Sequence, residues 1–143
     1  MNGRALFTRM HVFWYKLSGG RLLGNFGRAP VLLLTTIGRK TGKSRTTPLL
    51  YIQDEERVAI AASNGGRDKD PSWWTNLKHN PRATIQIKGA KRTVTAREAS
   101  RDEKDMLWPR LAKMYPQYDD YQRKTKREIP VVILTPAEPT SVS

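Results

Sequence analysis

The chain contains no cysteine. That absence removes disulfide frameworks, thiolate metal sites and cysteine nucleophiles together. Histidine is nearly as scarce: His11 and His79 stand far apart with no HExxH or other ligand spacing around either, so no metal is expected. No apolar run approaches the roughly 20 residues that cross a bilayer. The N-terminus also lacks the apolar centre followed by small residues of a signal peptide, and the expectation is a cytosolic protein. Acidic residues are few, 13 against 26 lysines and arginines, which leaves a formal charge of +13. Solvated surface lysines account for part of this excess. The remainder creates a positive potential that concentrates anions: nucleic acid, acidic lipid headgroups or a polyanionic small molecule. Composition does not choose among them.

A length of 143 residues suits one compact domain, 1–143, with a single site. Leu6, Met10, Phe13 and Leu17 recur at helical steps, so residues 1–20 read as an amphipathic helix closed by Gly19 and Gly20. It suits a helix packed across the domain's open end. That reading is preferred; with Phe7, Phe13 and Trp14 among basic residues, peripheral contact with an anionic membrane is the second reading. Val31 to Ile37 is a β-branched and leucine run, the pattern of a buried strand. Thr47 to Ile52 and Val58 to Ala62 continue an antiparallel meander, turning at Asp54 and Glu55.

Asp70 before Pro71 is a helix-start signal, with Trp73, Trp74 and Leu77 on the short helix and Pro81 as its stop. Ala83 to Lys88 and Thr93 to Glu98 form a hairpin about Gly89. Ser100 and Glu103 make a capping box for a helix with Met106, Leu107, Leu111 and Met114 on its apolar side, which Pro109 should bend or split. A further helical segment starts at Gln117, and Ile129 to Thr135 is a last buried strand. The tail, 136–143, reads as mobile. Six mostly antiparallel strands, with helices between them or at the ends, exclude an alternating βαβ sheet. They suggest a closed or half-closed barrel plugged by helices.

Three clusters bear on chemistry. Gly38-Arg39-Lys40-Thr41-Gly42-Lys43-Ser44-Arg45 sets two glycines among four cations, which suits phosphate or carboxylate but also describes a basic hairpin turn. It is not a Walker loop, because the glycine spacing is one residue short and Thr46, Thr47 and Pro48 lead into a strand where a helix is required. Ser63-Asn64-Gly65-Gly66-Arg67 follows an apolar strand and precedes the paired tryptophans, a place from which a loop wraps a flat ligand. Turn-forming glycines and core tryptophans explain the same residues. Tyr115, Tyr118 and Tyr121 recur at three-residue steps, a stripe on one helical face that packs or lends its phenols to a cavity mouth. No serine, histidine and acid arrangement supports a hydrolase, so catalysis here calls for a cofactor.

The segments PVLLLTTIGRKTGKSRTTPLLY, AIAASNGGRDKDPSWWTNLKHNP and WPRLAKMYPQYDDYQRKTKREIPVVIL, in that order, resemble the deazaflavin-dependent nitroreductase family of actinobacterial oxidoreductases, over about Pro30 to Thr135. The resemblance implies a mainly β (α+β) split β-barrel of about six strands with flanking helices, its cofactor-binding core at 30–135. It implies hydride transfer from a reduced 8-hydroxy-5-deazaflavin coenzyme (F-420 type), whose phosphate and oligoglutamate tail lies over basic residues, to a quinone, an enone or lactone, or a nitroaromatic. By family position, Arg39, Lys40 and Thr41 contact the tail, and Arg45, Thr46, Thr47, Pro48, Leu49 and Leu50 support the phosphate and ring. Ala61, Ala62, Ser63 and Asn64 line the ring, while Ser72, Trp73, Trp74, Thr75 and Asn76 close over the linker and phosphate. Tyr118 and Ser63 take the catalytic positions, with Tyr115, Tyr121 and Trp73 at the substrate. Asn64 departs from the pattern, standing where some relatives carry lysine, and this bears on coenzyme affinity. The rival readings are a split barrel using flavin mononucleotide, a non-catalytic cofactor binder, and a nucleic-acid module that uses the basic loop and the tryptophans. Under the main reading the partner is a small electron acceptor and not nucleic acid.

Overall fold

A computed structural model of the chain describes residues 29–137. The expected N-terminal helix at 1–20 and the end of the tail lie outside them. Seven strands run β1 (Val31–Ile37), β2 (Ser44–Leu50), β3 (Ile52–Asp54), β4 (Arg57–Ala61), β5 (Arg82–Ile87), β6 (Ala90–Glu98) and β7 (Val131–Pro136). They form one sheet in the order β2-β1-β5-β6-β7-β4-β3, every neighbour antiparallel. The sheet curls until edge strand β2 approaches β4, giving a half-barrel. Helix α1 (Ser72–His79) lies between β4 and β5, and α2 (Arg101–Met114) and α3 (Gln117–Lys124) lie between β6 and β7.

Side-chain alternation along the strands builds two cores. Val58 and Ile60 of β4, Val132 and Leu134 of β7, Leu32 and Leu34 of β1 and Ile85 of β5 point inside the curl, where Trp73, Trp74 and Leu77 of α1 plug it. The opposite faces of β4 and β7, carrying Ala59, Ala61, Val131 and Ile133, are covered by Leu107 and Leu111 of α2 and Tyr118 of α3. Burial on both faces is why these strands read as unbroken apolar runs, VAIA and VVIL, while β6 alternates.

Several boundaries differ from the sequence expectation. The expected strand from Thr47 to Ile52 divides at Tyr51, whose side chain is buried and whose N–H donates to the Pro30 carbonyl at 3.2 Å. Residues before it pair with β1 and residues after it pair with β4, so Tyr51 is the point where the chain passes between two parts of the sheet. Helix α1 is preceded by an extended Pro71 at its cap position, and the Asp70 carboxylate pairs with Lys78 at 2.9 Å and Arg127 at 3.1 Å in place of capping. Helix α2 runs unbroken through Pro109. The proline and Asp105, whose carbonyl it leaves without an intrahelical partner, are both exposed. Met106, expected on the apolar side, is 75% exposed. Tyr115 caps the end of α2, and Pro116 separates it from α3, so the tyrosines do not share one helix. The tail begins in order: Pro136 ends β7 and the Ala137 N–H donates to the Thr93 carbonyl at 2.9 Å.

The Ser100–Glu103 capping box is present, and Glu103 also ties α2 to the sheet. It accepts from Arg97 at 2.7 and 2.8 Å and from Arg57 at 3.1 Å, while Asp54 accepts from Arg57 at 2.6 Å and Arg110 at 3.0 Å. Arg97 and the Ser100 N–H hold the Glu103 carboxyl well below the ordinary carboxylate range, and Arg57 and Arg110 lower that of Asp54. A depressed folded-state pKa contributes stability above the unfolded value, near 4, and that stability is lost as pH falls through the folded value. Thermal melts should therefore give a steady Tm from neutrality to about pH 5, then a decline below about pH 4. Glu103→Gln should lower Tm at pH 7 and flatten the acid decline; an unchanged acid decline would remove Glu103 from this account.

Candidate active site

The turn between β1 and β2, the chain from Ala61 to Trp73, strand β2 and the tyrosines enclose a cleft of about 1620 Å³. This exceeds the roughly 300–1,000 Å³ of an ordinary small-molecule site and suits a ligand with a ring and an extended tail.

The floor is β2, where Arg45, Thr46, Thr47, Pro48, Leu49 and Leu50 line the cleft. Its backbone is fixed against β1 in continuous register, with the Thr35 and Thr46 hydroxyls 2.8 Å apart. The turn above it closes through Gly38 N–H to the Lys43 carbonyl and Gly42 N–H to the Gly38 carbonyl, both 2.8 Å. Gly42 has φ +71°, a left-handed conformation that favours glycine. Arg39, Lys40 and Thr41 face the cleft from this turn. Buried Asn76 fastens the turn to α1: its Oδ1 accepts from the Arg39 N–H at 3.2 Å and from Arg39 Nη1 at 3.0 Å, and its Nδ2 donates to the Thr36 hydroxyl at 3.2 Å. Ser72, Trp73 and Asn76 line the same side.

Across the cleft, Asn64, Gly65 and Gly66 have consecutive positive φ values of 49°, 65° and 84°. Asparagine and glycine are the residues that accept this conformation. At Gly66 a β-carbon would stand 3.0 Å from the Tyr121 carbonyl, so helix α3 packs directly on this loop. Ala61, Ser63 and Asn64 line the cleft, and the Asn64 amide donates to the Lys69 carbonyl at 3.0 Å.

The tyrosines form the third wall. Tyr118 is 5% exposed, its ring 5.0 Å from that of Tyr115 and 6.3 Å from that of Tyr121, both in edge contact. The Tyr115 hydroxyl donates to Gln117 Oε1, and the Tyr115 and Tyr121 hydroxyls stand 3.3 Å apart. Burial, with the neighbouring phenols, raises the Tyr118 pKa well above its ordinary value. Burial and the Tyr121 hydrogen bond push Tyr115 up to about 12. Both phenols therefore stay protonated at working pH and can donate hydrogen bonds.

Three residues expected by family position do not line the cleft. Ala62 is fully buried, Trp74 packs in the inner core, and the Thr75 hydroxyl donates to the Ser72 carbonyl at 3.0 Å. The cleft adds Thr36, Gly38, Ser44, Gly65, Arg67, Lys69, Asp70 and Pro71. Arg67 and Lys69 belong to a charged run, GGRDKD, that carries no local signal of its orientation. Arg39, Lys40, Arg45, Arg67 and Lys69 all line the cleft, and among the described residues none of the five pairs with a carboxylate. Asp70 is already paired. Such a donor set fits a phosphate and a carboxylate tail.

A half-barrel with a cationic, tyrosine-walled cleft is the frame of a cofactor-dependent oxidoreductase, and the comparisons agree. The family model described as F420H(2)-dependent quinone reductase matches residues 7–136, and the chain belongs to that family. Rv3178 of Mycobacterium tuberculosis, provisionally named an F420H(2)-dependent quinone reductase, is 46% identical over 107 residues, spanning 75% of this chain and 90% of its own. The F420H(2)-dependent quinone reductase Rv1261c of the same organism is 38% identical over 131 residues, 89% of this chain and 88% of its own. A solved F420-H2 dependent reductase, FDR-A, superposes with a TM-score of 0.68 at 40% identity, covering 73% of this chain and 93% of that one. The fold is the split barrel, and the protein is an oxidoreductase that uses the reduced deazaflavin coenzyme.

Proposed function

We propose that the cleft holds the reduced deazaflavin and presents it to a quinone-class acceptor. The observation that carries this reading is the cleft itself, lined by five cations that have no carboxylate partner among the described residues and walled by three contacting tyrosines. Lys40, Arg45, Arg67 and Lys69 hold the phosphate and acidic tail, with Arg39 and Thr41 shaping the turn. Thr46, Thr47, Pro48, Leu49 and Leu50 support the ring from below, and Ala61, Ser63 and Asn64 border it. Ser72, Trp73 and Asn76 close the linker side. Asn76 acts through Arg39 and Thr36, since its amide is already committed to them. When bound, the coenzyme supplies a hydride to the acceptor.

Tyr118 donates a hydrogen bond to the acceptor oxygen as negative charge develops there, and Ser63 provides a second polar contact. Burial makes the Tyr118 phenol a weak acid, so it keeps its proton and water completes the hydroquinone. Tyr115, Tyr121 and Trp73 exclude solvent around the acceptor. This reading keeps the reaction in the cytosol, and the amphipathic sequence pattern of residues 1–20, which lie outside the described residues, suits contact with anionic lipid at the membrane's inner face.

Tyr118→Phe tests the assignment. A lost hydrogen bond to developing charge should lower kcat by about tenfold to a hundredfold while coenzyme affinity stays within about twofold. Full turnover in the variant sinks the role of Tyr118. Faster reduction of a nitroimidazole than of any quinone sinks the acceptor assignment.

A further inference from the structure

Arg127 lies between α3 and β7, in the run KTKRE, where the sequence offers nothing to separate it from neighbouring surface cations. It does not line the cleft. Its guanidinium nonetheless addresses four acceptors on the chain that does. Nε donates to the Arg67 carbonyl at 2.9 Å, and Nη2 to the Ala62 and Ser63 carbonyls at 3.1 and 3.0 Å. Nη1 donates to Asp70 Oδ1 at 3.1 Å. A second tether comes from the same connection: the Thr125 hydroxyl donates to Asp68 Oδ1 at 2.7 Å. Arg127 is itself held, its N–H by Thr125 Oγ1 at 3.3 Å and its carbonyl by Gln122 Nε2 at 2.8 Å.

The consequence is an ordered alternation. Asp68, outside the cleft lining, is drawn to Thr125, and Asp70, which itself lines the cleft, is paired with Arg127 and Lys78, while Arg67 and Lys69, the residues interleaved with them, line the cleft as cations without carboxylate partners among the described residues. Two carboxylates beside a polyanion site would oppose binding if they were free. Here Asp70 is neutralised and both acids are fixed. We infer that Arg127 is a positioning residue for the coenzyme: through its four hydrogen bonds it sets the 62–70 loop so that Arg67 and Lys69 face the cleft. This rests on the reading of the cleft as the deazaflavin site. Only a planar fork of several N–H donors spans these acceptors, so lysine cannot replace it.

The test compares the full-length wild type with Arg127→Lys, and with Arg57→Lys as a control in the ion-pair network between α2 and β3–β4, away from the cleft. Coenzyme Kd is read by fluorescence, backbone exchange at 62–70 by hydrogen–deuterium exchange, and quinone KM at saturating coenzyme. Arg127→Lys should raise Kd by about tenfold or more, speed exchange across 62–70, and leave quinone KM within about twofold. Arg57→Lys, matched for loss of Tm, should leave Kd within about twofold. A folded Arg127→Lys with wild-type Kd overturns the inference, as does an equal rise in Kd and quinone KM, or an equal effect in the control. If Arg127→Lys does not fold, Thr125→Val removes the Asp68 tether and the hydroxyl that holds the Arg127 N–H while leaving the guanidinium in place; a rise in Kd with faster exchange at 62–70 supports the inference and an unchanged Kd overturns it. Failure of the wild type to bind the coenzyme refutes the reading of the cleft, a result distinct from any of these.

Discussion

A chain carrying glutamine at Lys40, Arg45 and Lys69 should bind the reduced deazaflavin about a hundredfold more weakly than the wild type, with its fold intact. All three side chains line the cleft and none is committed to a carboxylate among the described residues, so no internal ion pair is broken by their removal. A direct charge-assisted hydrogen bond is worth about 1.5–3 kcal/mol and a solvent-exposed pair about 1 kcal/mol or less. The cleft is open to water, and three contacts between these limits give about 3 kcal/mol, or about a hundredfold. Glutamine at Lys91, Arg92 and Lys113, exposed residues away from the cleft, makes the same change in net charge. It should leave affinity within about twofold. Equal losses in both triple variants would assign the effect to the overall +13 charge and not to the site. Raising salt from about 0.1 to 1 M should erase most of the difference between wild type and the cleft variant, because the screening length shortens to about 3 Å.

The second large effect lies beneath the tyrosine wall. Leu111 is fully buried in the cluster that holds Tyr118, Ala61, Val131 and Ile133. Leu111→Ala should lower unfolding stability by about 2–5 kcal/mol, from the lost transfer energy plus the cavity that the surrounding strands cannot close. That is a large share of the roughly 5–15 kcal/mol of a typical domain. Met106→Ala, five residues earlier on the same helix, should change stability by no more than about 0.5 kcal/mol, because that side chain is 75% exposed. Urea melts of the two variants check both figures, and a similar loss in each would mean that α2 is rotated from the orientation described.

Met106 and Leu111 also show how far the sequence could be read. Apolar spacing placed both on the buried side of α2, yet the helix turns only part of that stripe to the sheet. Local signals did well where the physics is local: the Ser100–Glu103 box, the hairpin at Lys88 and Gly89, and the β-branched runs of β1, β4 and β7. They could not give the strand order, since β7 pairs with β4 and β6 across long stretches of chain. Nor could they show that Asp70 would leave its cap position for Lys78 and Arg127, because those partners are fixed by tertiary packing. The resemblance named most of the cleft lining. It missed Arg67 and Lys69, and it included Ala62, Trp74 and Thr75, which the curl of the sheet and the rotation of α1 turn away.

As proposed above, this cleft is a deazaflavin site serving hydride transfer to a quinone. A fluorescence titration of the full-length protein with the reduced deazaflavin, in parallel with flavin mononucleotide and followed by addition of a quinone, tests it most directly. The expected result is tight deazaflavin binding, weaker flavin binding, and coenzyme oxidation only when the quinone is present. Flavin binding without deazaflavin binding, or a bound deazaflavin that no quinone oxidises, would contradict it.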